Sequence, residues 1–516
     1  MIPMQIGTPA DFAAARTCFA AADYTVEGVC RRLGIQTVYE FRSLRQGREG
    51  SPEVADPLDL LIRLFLDGAA VDAVLVHELL PPSGFEALTA LGLLDRHPDD
   101  PGKYAASVLL YPTESLYIAS DLGSDAPGLA REAQLNRPDR VYRAITPNTQ
   151  VFLCRLPTTP CERFLDLCSG TGIAALVASR YAAHAWAVDI TERSTRFAEF
   201  NARLNGIDNV TTLQGDLYEP VAGITFDRIA VHPPYVPATE QRYIYRDGGE
   251  DGEEVLWRIV ARIPEHLRPG GRFFCTCAAS DRSGAPLEQR IRAGLGKRHS
   301  EFDVVVVTHY EVHPSEFYYR MAAGGRISFA EAEERHRLFQ SVQAEQTLYC
   351  SIVVQRHTTS RPAVTVRRKR GKMAECGDIE WLLDWSAAVA ASDLVPELLD
   401  ARPVLSPDAR LHLTHQPQAG EWIAETCTVA IEHPFPRTVE LSPSAALFLP
   451  RLDGTRTTRE HLQQLQAEGE MSPEITPEAF AAFIRNLVTD GVVQLAGFRL
   501  PARSNGSQEA VGLESG

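Results

Sequence analysis

The sequence predicts an α/β protein. A doubly wound parallel sheet occupies the middle of the chain, and smaller, mostly helical modules of winged-helix character flank it. Three observations predict this. From about residue 146 to 357, apolar runs of strand length alternate with helical patterns, and such alternation calls for parallel strands joined by helices on both faces. A glycine-bearing bend, Ser169-Gly-Thr-Gly, joins the first of these strands to the first helix. Helix-rich segments ending in short apolar runs precede and follow this region.

Residues 1–145 read as an N-terminal helical, winged-helix-like recognition module. Pro57-Leu-Asp-Leu-Leu-Ile-Arg-Leu-Phe-Leu has helical apolar spacing and stops at Gly68. Further helices are expected from Val71 and from Gly84 to Leu91, then two strands, Tyr104–Tyr111 and Ser115–Ser120, forming a ribbon. In the region 146–360, seven strands are expected, beginning at Arg163, Ala185, Val210, Phe226, Arg272, Phe302 and Gln346. Helices lie at 171–181, 191–204, 253–267 and 286–298, the second capped by Thr191. An insertion at about 309–345, helical from Ser328 to Gln340, reads as a lid. Residues 361–434 read as a linker and mixed α/β segment that contains the basic run Val366-Arg-Arg-Lys-Arg-Gly-Lys. Residues 435–500 read as a winged-helix-like module with helices at 442–449, 458–466 and 477–489, and 501–516 as a disordered tail.

Composition narrows the function classes. The 516 residues suggest about three domains. A net charge of −16 opposes bulk coating of a phosphate backbone, which makes nucleic acid an unfavoured partner. The first residues have no basic, apolar leader, and no stretch approaches the ~18 apolar residues of a membrane helix. The ten cysteines form no CxxC pair, so a zinc site is not expected and reduced thiols in a cytoplasmic protein are.

Phe164-Leu-Asp-Leu-Cys-Ser-Gly-Thr-Gly-Ile carries the chemistry. Gly170 and Gly172 permit a sharp turn and close approach of a ligand to the backbone, and the following helix points its N-terminus at that ligand. Asp189 ends the next strand, nineteen residues beyond Gly170, where an acid can accept both hydroxyls of a ribose. The third position after Gly172 is Ala175, which departs from the G-x-G-x-x-G of dinucleotide sites. Asp216 ends the third strand and can accept from an adenine amino group. The fourth strand ends in Val231-His-Pro-Pro-Tyr, whose prolines fix the backbone at the ligand-binding edge of the sheet.

These residues resemble class I S-adenosylmethionine-dependent methyltransferases. Within them they resemble the release-factor glutamine methyltransferases of the methyltransferase small-domain type. The resemblance rests on Asp166-Leu-Cys-Ser-Gly-Thr-Gly, Asp189, Gly215-Asp-Leu, His232-Pro-Pro-Tyr, Asp247-Gly-Gly-Glu-Asp-Gly and the preceding Ile145-Thr-Pro-Asn-Thr-Gln. It implies a Rossmann-like seven-stranded fold and S-adenosyl-L-methionine as cofactor. It places Asp166, Cys168, Gly170, Gly172, Asp189, Ile190, Asp216, Leu217 and His232 around that cofactor, and His232, Pro233 and Tyr235 around the methyl acceptor. It also implies that Asp247 and the glycines after it shape the loop behind. The family carries Asn-Pro-Pro-Tyr, and His232 stands here in place of Asn. A neutral imidazole accepts one hydrogen bond, or takes a proton, and does not copy an amide's paired donor and acceptor. Amine, imidazole, hydroxyl and amide acceptors therefore all stay open.

The resemblance implies methyl transfer to a side-chain nitrogen of a protein. The alternatives are a small-molecule N- or O-methyltransferase, a nucleic-acid methyltransferase, and a non-catalytic cofactor-binding scaffold. An NAD-dependent oxidoreductase is disfavoured by the Pro-Pro-Tyr turn.

Overall fold

The computed structural model describes residues 2–41, 53–122, 137–325, 327–371 and 375–497. The basic residue Lys372 and the tail 501–516 lie outside these. The described residues form two compact units, one from within 1–296 with 311–353 and the other from within 297–310 with 354–497. The sequence boundaries at 145 and 434 thus fall inside units.

All seven expected strands are present: β1 (Cys161–Leu167), β2 (Ala182–Asp189), β3 (Val210–Gln214), β4 (Phe226–Val231), β5 (Leu267–Arg282), β6 (Phe302–Val312) and β7 (Ala344–Arg356). An eighth, β8 (Thr365–Lys369), follows them. In the first unit the order is β3-β2-β1-β4-β5-β7, and β3, β2, β1, β4 and β5 pair in parallel. The chain direction across the sheet reverses between β1 and β4, the position at which open parallel sheets bind ligands. Leu167 lies opposite both Val188 and Val231. This register brings Cys168, Asp189 and His232 to one carboxyl edge. Phe164, Leu165 and Leu167 are fully buried, as expected of a central strand covered on both faces.

Five helices of this unit bear on the site: α1 (Pro9–Ala21), α2 (Pro147–Leu153), α3 (Ile173–Ala178), α4 (Glu192–Leu204) and α5 (Glu254–His266). Thr191 caps α4 by accepting the N–H of Ser194. Helix α1 packs on α4 with Phe12 edge-on to Phe200 at 5.4 Å. The Arg16 guanidinium donates to the Leu204 carbonyl at 3.0 Å, satisfying the end of α4.

The N-terminal ribbon differs from expectation. Tyr104–Tyr111 is not one strand: Asp100–Ala106 pairs with Leu94–His97 and with Val71–Asp72, whereas Leu109–Thr113 pairs with Leu116–Ser120. Glu114 and Ser115 both have positive φ (+50° and +57°), the two-residue turn that suits hairpin twist and usually carries Asn-Gly. A Glu-Ser pair hides that turn in the sequence. The insertion contains two helices, Pro314–Ala323 in addition to the expected one at Phe329–Ser341. They share a small core of Tyr318, Ala322, Ala332 and Phe339.

In the second unit the basic run is not a linker. Val366, Arg367, Arg368 and Lys369 pair in parallel with Val305–Thr308 of β6, and cationic side chains are a common feature of edge strands. Arg402–Leu405 pairs with Val493–Ala496. Trp385, Leu398, Phe448, Phe480 and Ile484 share one core. The segments 361–434 and 435–500 are therefore parts of a single body. A long hairpin, Arg410–Gln418 with Glu421–Ile431, completes it.

None of the ten cysteines is in a disulfide; six are buried and Cys154 is exposed. Among the described residues, no helix is long and apolar enough to cross a membrane, and no group of three His, Cys, Asp or Glu is placed to hold a metal ion.

Candidate cofactor and acceptor site

A cavity of about 410 Å³ opens at the carboxyl edge of the sheet, and it is lined by Asp166, Cys168, Gly170, Asp189, Ile190, Asp216, Leu217, His232, Pro233 and Tyr235 among others. Of the residues predicted from the sequence, Gly172 stands apart. It lies under the bend, where a Cβ would meet that of Ala198 on α4 at 2.8 Å. At Gly170 a Cβ would meet nothing within 4 Å, so this backbone faces open space. Both glycines hold positive φ, +53° and +78°, which glycine adopts without strain.

Asp189 braces the bend. One carboxylate oxygen accepts the N–H of Gly170 at 2.9 Å, and the other accepts the N–H and hydroxyl of Thr191 at 3.1 and 3.2 Å. Burial raises its pKa, opposed by these hydrogen bonds. Asp166 is buried and accepts the N–H of Ala175 at 3.1 Å. Burial pushes its pKa up to about 8, because a charge taken from water is costly. Burial also holds the Cys168 thiol well above its ordinary range, so it is no nucleophile at neutral pH. Ile190 leaves half its surface exposed, an apolar face beside Asp189.

Asp216 is paired with the Arg258 guanidinium of α5. The sequence did not single out Arg258, since the partner lies forty-two positions away. Leu217 has φ +51°, which turns the chain out of β3 and toward the cavity.

His232 follows β4 directly. Its ring stacks on Phe152 of α2, with centroids 5.4 Å apart and planes 16° apart, and tilts against Tyr235 at 5.8 Å. Burial pulls its pKa down to about 4, so the imidazole is neutral at pH 7. Its Nε2 is buried without a hydrogen-bond partner, which is costly unless a ligand supplies one. The Tyr235 hydroxyl accepts from the Asn148 amide at 2.9 Å, and Asn148 belongs to the Ile145-Thr-Pro-Asn-Thr-Gln segment.

The loop after Tyr235 is tied down behind the site. Asp247 is buried and accepts the N–H groups of Arg242 and Tyr243 at 2.8 and 2.7 Å. Ile244 N–H donates to the Pro138 carbonyl at 2.9 Å. Tyr245 stacks on Tyr142 with centroids 5.0 Å apart. These rim tyrosines were not legible as site residues, because neither sits in a spaced motif.

The donor set fits an adenosyl-sulfonium ligand. It offers open backbone at Gly170, an acid at the end of β2, an exposed apolar side chain beside it, and an unpartnered imidazole nitrogen in the same cavity. Comparison with known proteins agrees. Residues 142–294 match the family described as methyltransferase small domain, and residues 21–106 match a domain of unknown function (DUF7059). Residues 142–294 are thus a methyltransferase domain, of the S-adenosylmethionine-dependent class. Over 131 residues the chain is 37% identical to the ribosomal protein uL3 glutamine methyltransferase of Bradyrhizobium diazoefficiens, covering 23% of this chain and 41% of that one. It is 39% identical over 133 residues to the release factor glutamine methyltransferase of Yersinia pestis (23% and 47% covered). It is 32% identical over 123 residues to that of Gloeobacter violaceus (21% and 43% covered). The chain spans less than half the length of each of these relatives.

Proposed function

We propose that this protein transfers a methyl group from S-adenosyl-L-methionine, in line, to a side-chain nitrogen of a protein substrate in the cytoplasm. The observation that carries the reading is His232: a neutral imidazole with an unpartnered Nε2, in the same cavity as the glycine bend and Asp189. The cited relatives act on glutamine of translation proteins, which supports a protein acceptor.

Gly170 and Gly172 let the cofactor lie against the bend, and Asp166 faces its methionine end. Asp189 holds the ribose, Ile190 covers an adenine face, and Asp216 with Leu217 receives the adenine edge. When bound, the cofactor supplies a methyl group on a positively charged sulfur. Orientation of the acceptor against it is worth up to ~7–11 kcal/mol in favourable intramolecular cases. His232 accepts an N–H of the acceptor and Pro233 and Tyr235 wall it. With a pKa of about 4, His232 is neutral at pH 7, too weak a base to strip an ammonium beforehand, yet able to take the proton that the acceptor nitrogen sheds as it gains the methyl group and S-adenosylhomocysteine leaves. The nucleophile must therefore arrive uncharged. A carboxamide does; a lysine ammonium, with a free pKa of ~10.4, does not.

The test is transfer of labelled methyl from S-adenosylmethionine into a cell extract. Label in protein, released by protease, supports the reading. Label in nucleic acid or in small molecules replaces it with one of the alternatives.

A further inference from the structure

The hairpin strand Leu116–Ser120 lies outside both matched families, which cover 21–106 and 142–294. Among the described residues one of its edges has no strand partner, and α4 with the residue that caps it fills that role with side chains. The Asn201 carboxamide accepts the N–H of Ala119 at 2.8 Å and donates to the Ala119 carbonyl at 3.1 Å. One turn further on, Asn205 accepts the N–H of Tyr117 at 2.8 Å and donates to the Tyr117 carbonyl at 2.7 Å. The spacing explains the match: four helical residues rise ~6 Å, and two strand residues advance ~6.6 Å. Two asparagines thus form a side-chain ladder with a strand edge that no other strand pairs with among the described residues.

Asn201 is fully buried and makes one more bond, donating to the Thr171 carbonyl at 3.0 Å. Thr171 stands between Gly170 and Gly172. The same helix meets the bend a second time, where Ala198 packs beneath Gly172. Immediately after the strand, Asp121 accepts from Arg193 of α4 at 2.8 Å and from the N–H of Val141, on the cavity rim, at 2.8 Å. The strand is therefore connected to the cavity at both the bend and the rim.

We propose that Asn201 is a positioning residue of the cofactor bend: it links the docked strand Leu116–Ser120 to the backbone of Thr171, fixes the bend, and so sets affinity for the cofactor. The second half of this inference rests on the cofactor reading above; the first half does not. Asn205 makes the same ladder contact without touching Thr171, and it separates positioning from mere packing.

The experiment compares Asn201→Asp with Asn205→Ala in the full-length protein. The aspartate keeps the shape and the acceptor but loses both donated bonds. In cofactor-free protein, amide hydrogen exchange over 168–175 is expected to quicken about tenfold in Asn201→Asp and to change less than about twofold in Asn205→Ala. Affinity for S-adenosylmethionine then weakens about tenfold in the first variant only, with kcat changed far less than KM. Equal exchange in the two variants, or a quickened bend with unaltered affinity, overturns the proposal. A bend loosened only in Asn201→Asp, in a protein whose wild type ignores the cofactor, upholds the positioning and sinks the cofactor reading instead. If Asn201→Asp does not fold, Asn201→Ser serves in the same comparison.

Discussion

The carboxylate of Asp189 accepts the backbone N–H of Gly170 at 2.9 Å. This one bond ties the end of β2 to the bend after β1 and makes a single acid serve both the shape of the site and its proposed hold on the ribose. Substitution at 189 accordingly removes more than a ligand contact.

Asp189→Ala deletes the partner of Gly170 and Thr191 together with the charge. Hydrogen bonds to charged groups are worth about 1.5–3 kcal/mol, so affinity for S-adenosylhomocysteine is expected to fall by ten- to a hundredfold or so. Asp189→Asn keeps one oxygen acceptor and falls between. Calorimetric titration of the three proteins checks the order, and an Asn variant weaker than the Ala variant contradicts it.

His232 makes a signed pH prediction. Its folded-state pKa of about 4 lies below the ordinary 6.5. Between these values the unfolded chain binds a proton that the folded chain refuses, so stability falls as pH drops through the window and is flat above it. Urea unfolding at pH 7.5 and 5 is expected to show a larger loss in wild type than in His232→Asn. In the reaction, His232→Ala lowers turnover at least about tenfold with cofactor affinity little changed. Equal loss of both removes His232 from the acceptor pocket.

Asp166 runs the other way. With a pKa of about 8, it is mostly protonated at pH 7, and its contribution to stability is lost as pH rises from about 4 to 8. A cationic methionine end beside it favours the ionised form. Cofactor binding at pH 7 is therefore expected to release protons, seen as a binding enthalpy that differs between phosphate and Tris buffers. Asp166→Asn abolishes the difference; a wild type with no buffer dependence argues against the assignment.

The two glycines separate strain from collision. Gly170→Ala meets open space and bears only the backbone strain of a positive φ, roughly 1 kcal/mol. Gly172→Ala adds a contact of 2.8 Å with Ala198, and overpacking typically costs about 1–3 kcal/mol more. Chemical denaturation is expected to rank them in that order. Gly170→Ala, with its new methyl in the cavity, loses cofactor affinity while remaining the more stable of the two.

The central sheet was legible because its strands are short apolar runs bounded by clear helix caps, such as Thr191 before α4. The bend and the acids at 166, 189 and 216 were legible because they lie at fixed places on successive strands. What the sequence concealed depends on long-range contacts. Arg258 meets Asp216, and Asn201 meets both Ala119 and Thr171, only once the sheet has formed. The turn at Glu114-Ser115 lacks the glycine that would announce it. Val366–Lys369 looked like a solvated linker because cationic side chains on an edge strand leave no apolar alternation to read.

The account depends on one binding event. Titration of purified wild-type protein with S-adenosylmethionine tests it most directly: saturable binding at about one ligand per chain, weakened about ten- to a hundredfold in Asp189→Ala, is the predicted result. No heat and no shift in melting temperature at millimolar ligand would contradict it.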